Sequence, residues 1–130
     1  MRTEYSVNIV ECTKELSVKE KIMLKDFGNA VALDRATAES DSPIVVEVDY
    51  FARMEVHNEK SRQDKDYQKI VICDTSGNKY ITGSDSLYNS LCDIYEELSS
   101  AGENGPFTVE IYGKPSANYV GKTFLTCSLC

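Results

Sequence analysis

No stretch of this sequence approaches the roughly 18 uncharged apolar residues that a membrane-crossing helix needs. The opening MRTEYSVNIVECTKE places only six residues between Glu4 and Glu11, too short an apolar core for a secretory leader. The expectation is a protein that is neither exported nor inserted in a membrane. Histidine is nearly absent. His57 stands alone, so no Ser–His–Asp arrangement or paired metal site can be assembled around it, and its place between a strand and a charged loop reads as structural. Cysteine is present in the wrong number for a disulfide scaffold. Cys12, Cys73, Cys92, Cys127 and Cys130 make an odd set, which suits reduced thiols in a cytosol. Cys127-Ser-Leu-Cys130 has C-x2-C spacing but no second pair, with His57 a third ligand at most, so zinc is not expected. Nothing in this inventory supplies an active site, and neither an enzyme nor a cofactor is expected.

Internal repeats, low-complexity tracts and Pro- or Gly-rich linkers are also missing, so the 130 residues read as one domain's worth of chain. Bases are outnumbered by acids, 14 against 21, for a net charge of −7, which at first sight opposes a nucleic-acid partner. The distribution says otherwise. Residues 26–52 hold six acids and one base, and residues 84–105 hold five acids and no base. The remaining segments are neutral or slightly positive, so one surface can still be basic.

What the chain does have is strand periodicity. In residues 44–56, IVVEVDYFARMEV, the even positions from Ile44 to Val56 are apolar and the odd face carries Glu47, Asp49, Phe51, Arg53 and Glu55. Period two over that length predicts a half-buried, bent strand. HNEKSRQDKD (57–66) reads as a loop, YQKIVICD (67–74) as a strand, and Thr75–Asn78 as a turn with Gly77 at positive φ before the short partner KYIT. The period then changes. Leu87, Leu91, Ile94 and Leu98 lie at helical spacing, with Ser84 or Ser86 to cap the first turn. Gly102 to Pro106 ends that helix, and FTVEIYG (107–113) and TFLTCSL (123–129) read as two more strands. Residues 20–35 look like strand around Gly28-Asn29, though EKIMLKDF also suits a helical turn. Residues 1–19 form an unassigned N-terminal extension to a domain spanning 20–130. The expected fold is mainly β with one α-helix, a five-stranded OB-like Greek-key barrel.

Ser116 to Thr123 imitates a phosphate-binding loop, but strand rather than helix follows it, so no helix N-terminus can face a phosphate. The aromatic residues are more telling. Phe51, Tyr112 and Phe124 each fall among polar neighbours on a strand, where a ring can stack on an unpaired base. The competing reading has these faces partly buried under the helix or a loop, since period two does not say which face meets the core. Bases lie close by in sequence: Arg53, Lys60, Arg62 and Lys69 around the 57–66 loop, and Lys114 and Lys122 on either side of Tyr119. In an OB barrel the first-to-second and fourth-to-fifth strand connections border the binding groove, where phosphate contacts and stacking combine.

The run PIVVEVDYF, the segment DTSGNKYITGSDSLYNSLCDIYEEL and the ending KPSANYVGKTFLTCSL resemble small single-stranded DNA-binding proteins of phages and mobile elements of Gram-positive bacteria, including the protein-primed phages. The resemblance covers about residues 28–130 and is most specific in the basic loop followed by GK-aromatic-x-T-C-S-L. It implies an OB-type protein that coats single strands during replication or transfer in the cytoplasm of a bacterial host, alongside replication or transfer proteins. Residues 1–19 match nothing in that pattern. The acidic C-terminal tail usual among bacterial relatives has no counterpart after the final strand, which counts against tail-mediated recruitment.

The leading expectation is sequence-independent binding of single-stranded DNA. Phe51, Tyr112, Tyr119 and Phe124 would stack on bases; Arg53, Lys60, Arg62, Lys69, Lys114 and Lys122 would meet phosphates. The alternative is an OB-like protein-interaction module, an adaptor or host-factor inhibitor that uses the acidic helix as its contact face.

Overall fold

The longest alternating run becomes the spine of the molecule. In the computed structural model, which describes residues 4–115 and 123–130, Ile44–Asn58 forms one 15-residue strand, β3. Strand β1 (Tyr5–Cys12), helix α1 (Val18–Leu24), the two-residue strand β2 (Val31–Ala32) and helix α2 (Leu33–Glu39) precede it. Strands β4 (Asp66–Asp74) and β5 (Lys79–Thr82), helix α3 (Asp85–Ser100), and strands β6 (Phe107–Pro115) and β7 (Thr123–Leu129) follow. The architecture is mainly β. Among the described residues, seven strands and three helices stand where five and one were expected.

β3 is long enough to serve three partners. β4 pairs with it from Val48 to His57, while on its other edge β6 takes Ile44–Val48 and β1 takes Ala52–Asn58. The sheet order is β2-β5-β4-β3-β6-β7. β3, β4 and β5 form a meander, and β6 returns after α3 to lie beside β3, which is a Greek-key connection. The sheet curls, and among the described residues no pairing joins β7 to β5 or β2. The first residues, unassigned from sequence, supply β1 to this same sheet.

A bulge in β3 decides which side chains meet which core. Val48 pairs with Asp74 and Tyr50 with Cys73, leaving Asp49 without a partner on β4. One extra residue reverses the alternation from that point on. Val46, Val48 and Phe51 therefore face α3, and Tyr50, Ala52 and Met54 face α1. The sequence expectation that all even positions from Ile44 to Val56 share one face fails at Asp49 for this reason.

Each face of the sheet carries its own core. On one, Leu87 and Leu91 of α3 and Leu33 of α2 pack on Val48, Ile72, Val109 and Ile111. On the other, Leu24 of α1 packs on Ala52, Met54, Val71 and Cys73. Leucines buried this fully contribute about 1.5–3 kcal/mol each. Local chemistry sets the helix ends. Ser17 and Glu20 form a reciprocal capping box at 3.2 and 3.1 Å, which starts α1 and decides EKIMLKDF for the helical turn over the strand. Ser84 caps α3 by accepting the Leu87 N–H at 3.2 Å. Gly102, at φ 82°, closes α3 in a left-handed turn, with the Glu103 N–H returning to the Leu98 carbonyl at 2.8 Å. Gly77, at φ 90°, makes the β4–β5 turn.

Candidate nucleic-acid interface

The bulge removes one member of the expected stacking platform. Phe51 is 2% exposed and sits edge-on between Tyr88 at 6.0 Å and Tyr95 at 5.8 Å under α3. It is a core residue, not a surface ring. Arg53 shares that side of the sheet. Its guanidinium lies 6.0 Å from the centre of the Tyr88 ring and 3.9 Å from the Glu11 carboxylate, so it is already engaged within the fold. Tyr112 is half-buried, its hydroxyl 2.7 Å from that of Ser128. Phe124, 37% exposed, lies directly across the β6–β7 ladder from Lys114. Tyr119 and Lys122 lie outside the described residues, as does most of the phosphate-loop mimic; β7 begins at Thr123.

Phe124 and Tyr112 border a groove of about 620 Å³ between α2 and the β6–β7 hairpin. Asp34 and Asp41 line the same groove, and their carboxylates oppose a phosphate there. At the other end of the sheet the charge is mixed, with Glu59, Asp64 and Asp66 beside Lys60, Arg62 and Lys65. Lys60 and Arg62 are exposed in the β3–β4 loop, with Lys60 3.6 Å from Glu4. Lys69 stands on β4 with its ammonium 5.8 Å from the centre of the Tyr67 ring.

Pairing across β1, β3 and β4 places Tyr5, Val7 and Ile9, then Val56 and Met54, then Tyr67 and Lys69 on one face. Tyr5 is 39% exposed, and Tyr67 is partly exposed. On this same side, Lys14, Lys21 and Lys25 line a groove of about 530 Å³ with Glu15, Ile9 and Leu16. Lys14 is held 5.1 Å over the Tyr50 ring and 3.3 Å from Glu20. Sequence reading missed Tyr5, Tyr67, Lys14, Lys21 and Lys25 as a set. Tyr67 was within reach of it, because Tyr67 and Lys69 alternate onto one face of YQKIV. The other four depend on β1 and α1, which had no sequence assignment as such.

The exposed surface of α3 is acidic. Asp85, Asp93, Glu96 and Glu97 are all exposed on α3, which covers the face opposite the α1 lysines. Near the loop, hydrogen bonds to Asp66 and then to Glu59 raise the His57 pKa above its usual 6.5. The hydrogen bond from Lys65, followed by that from His57, lowers the Glu59 carboxyl. Burial lifts the Cys127 thiol to about 11, and all five cysteines are free. Among the described residues no group of three His, Cys, Asp or Glu side chains converges as a metal site, and no helix is long and apolar enough to cross a membrane. The chain matches no family model, no curated protein and no solved structure.

Proposed function

We propose that the protein binds single-stranded DNA with little sequence preference, through an OB-like core of β3 to β7. The strand order supports this reading. A three-strand meander, a helix and a returning hairpin follow the Greek-key plan of OB folds, which bind oligonucleotides on the face of their second and third strands and on the bordering loops. Those strands correspond to β4 and β5, and the first loop is 59–65. The N-terminal segment is an addition to that plan: β1 extends the face beside β3, and α1 covers Val71, Cys73 and Ile81 on it.

The observation that carries the proposal is the joint display of Tyr67, Lys69 and Tyr5 on one face. Lys60 and Arg62 lie at its end, and the acidic helix α3 covers the other face of the sheet. Rings of this kind stack on bases at about 1–3 kcal/mol each, and lysines neutralise phosphates beside them. The protein then acts by coating rather than by catalysis, in the replication or transfer of phage or mobile-element DNA within a bacterial cell. Fluorescence anisotropy with a labelled oligo-dT and its duplex tests the reading. Binding of the single strand at least tenfold tighter than the duplex, weakened by Tyr67→Ala and by Lys69→Ala, is the expected outcome. Equal affinity for both forms, or none for either, refutes it.

The second reading, an adaptor that presents α3 to a basic partner, is favoured by one observation. The exposed face of α3 carries four acids and no base. Neutralising Asp93, Glu96 and Glu97 together leaves DNA affinity intact or improved under the first reading, and abolishes partner binding under the second.

A further inference from the structure

His57 sits near the C-terminal end of β3, opposite Asp66 of β4 and Ser6 of β1. Its Nδ1 lies 2.6 Å from the Asp66 carboxylate and its Nε2 2.7 Å from that of Glu59. A neutral imidazole has one N–H and one lone pair. It can donate to one carboxylate only, and it turns a lone pair on the other. Both contacts are hydrogen bonds only when the ring is an imidazolium.

The surroundings make this ring a tie between the two arms of a loop. Glu59 leads out of β3 and Asp66 opens β4, so the ring bridges both ends of residues 59–65. Lys65 reaches the second oxygen of Glu59 at 3.1 Å, and the Asn58 N–H donates to the Lys65 carbonyl at 2.7 Å. Asn8 of β1 borders the site, and just before that strand the Glu4 carbonyl accepts the Glu59 N–H at 2.7 Å, while the Glu4 carboxylate meets Lys60. Arg53 and Glu55 of β3 and Gln68 of β4 complete the polar surface around it. A neutral ring keeps one of these two hydrogen bonds and loses the other, so the bridge between Glu59 and Asp66 depends on the second proton while the Lys65–Glu59 contact does not.

We propose that His57 is a proton-controlled pin: as an imidazolium it ties both arms of the 59–65 loop to the end of the sheet, and on losing its proton it keeps one arm only and loosens the loop. Deprotonation leaves Glu59 and Asp66 without their shared cation beside Lys60 and Arg62. The effect on DNA affinity rests on the proposed function above; the pin does not. The sign follows from the raised folded value. The tie is complete below the ordinary histidine value near 6.5 and is lost as pH rises through the higher folded one.

Because His57 is the sole histidine, its ring C–H resonances titrate alone in the NMR spectrum of the full chain. The expected midpoint lies above 6.5, and the double variant Asp66→Asn/Glu59→Gln brings it back to the ordinary value. Trypsin reads the loop at Lys60, Arg62 and Lys65, with wild type and His57→Gln compared at each pH. The variant is expected to be cut several-fold faster at pH 6, and the ratio to approach one above the wild-type midpoint. A midpoint at or below 6.5, or a ratio of one at pH 6, overturns the pin. Anisotropy with oligo-dT is expected to show wild-type affinity falling about two- to fivefold across the midpoint, the size of one exposed charge, with His57→Gln flat. Normal titration and trypsin results without DNA binding at any pH leave the pin standing and bring down the DNA reading. Binding that ignores the midpoint refutes the link between pin and site.

Discussion

Phe51→Ala is expected to cost the fold about 4 kcal/mol. The ring is 2% exposed, and a phenylalanine buried so completely removes about 150–250 Å² from water, worth roughly 4–6 kcal/mol at about 25 cal/mol per Å². Alanine keeps part of that, and large-to-small truncations of Phe run at about 3–5 kcal/mol. The edge-to-face partners at 6.0 and 5.8 Å place this site in the upper half of the range. Against a total of about 5–15 kcal/mol, about a quarter or more of the stability disappears. Urea unfolding followed by circular dichroism measures it, with an unchanged slope and with Phe51→Leu losing less than half as much. Oligo-dT affinity measured below the transition should stay within about twofold of wild type. A loss under about 1 kcal/mol, joined to a fall of about 1–3 kcal/mol in DNA affinity, would show that the ring faces solvent and that the bulge at Asp49 is misplaced.

Tyr67→Ala reverses that profile: single-strand affinity drops by about 1–3 kcal/mol, while urea unfolding moves far less than for Phe51→Ala. Log affinity should fall against log salt with a slope of about −2 to −3.5, as three to five neutralised phosphates require at roughly 0.7 each; a slope of zero contradicts a phosphate-tracking face. Ellman's reagent at pH 8 should react quickly with exposed Cys130 and reach buried Cys73 and Cys127 only on unfolding, with Cys127 further protected by its pKa of about 11. Burial pushes the Asp74 pKa up, but hydrogen bonds from Asn78, Ser76 and Tyr80 outweigh it and hold the value below 3.8. Its stabilisation is therefore present above the unfolded value and lost as pH falls through the lower folded one, so the stability gap between wild type and Asp74→Ala should narrow below about pH 4.

Regular local patterns were legible in the sequence. The spacing from Leu87 to Leu98 and the serine before it gave α3 to within a residue, and Gly77 marked its turn. The alternation of IVVEVDYFARMEV gave β3 but not its interior, because Asp49 reads like any outward-facing polar residue until β4 is laid beside it. That one unseen residue sent Phe51 to the wrong face. The helix α1 was obscured for a different reason. Its apolar residues Val18, Ile22 and Met23 point outward, so no amphipathic stripe separates the helical turn read at EKIMLKDF from the competing strand; the Ser17–Glu20 pair does. Of the proposed interface, Lys60, Arg62 and Lys69 were readable from clustering along the chain. Tyr5 and the α1 lysines join them only through pairings between distant segments, which periodicity does not encode.

The bulge also binds the two faces into a single kinetic unit. β3 contributes Val48 and Phe51 to one core and Ala52 and Met54 to the other within a few residues, so neither can open without disturbing the same stretch of backbone. Amide exchange at 50–54 should then require global rather than local unfolding, while α1, anchored by Leu24 and by Lys79 donating to the Met23 carbonyl at 2.8 Å, exchanges by a smaller opening. Strand β3 as a whole draws two of its three partners from far apart in the chain, β1 well before it and β6 well after, so long loops must close before either core rewards them. Topologies dominated by such pairings fold on the millisecond-to-second scale, and this chain belongs at the slow end for its length.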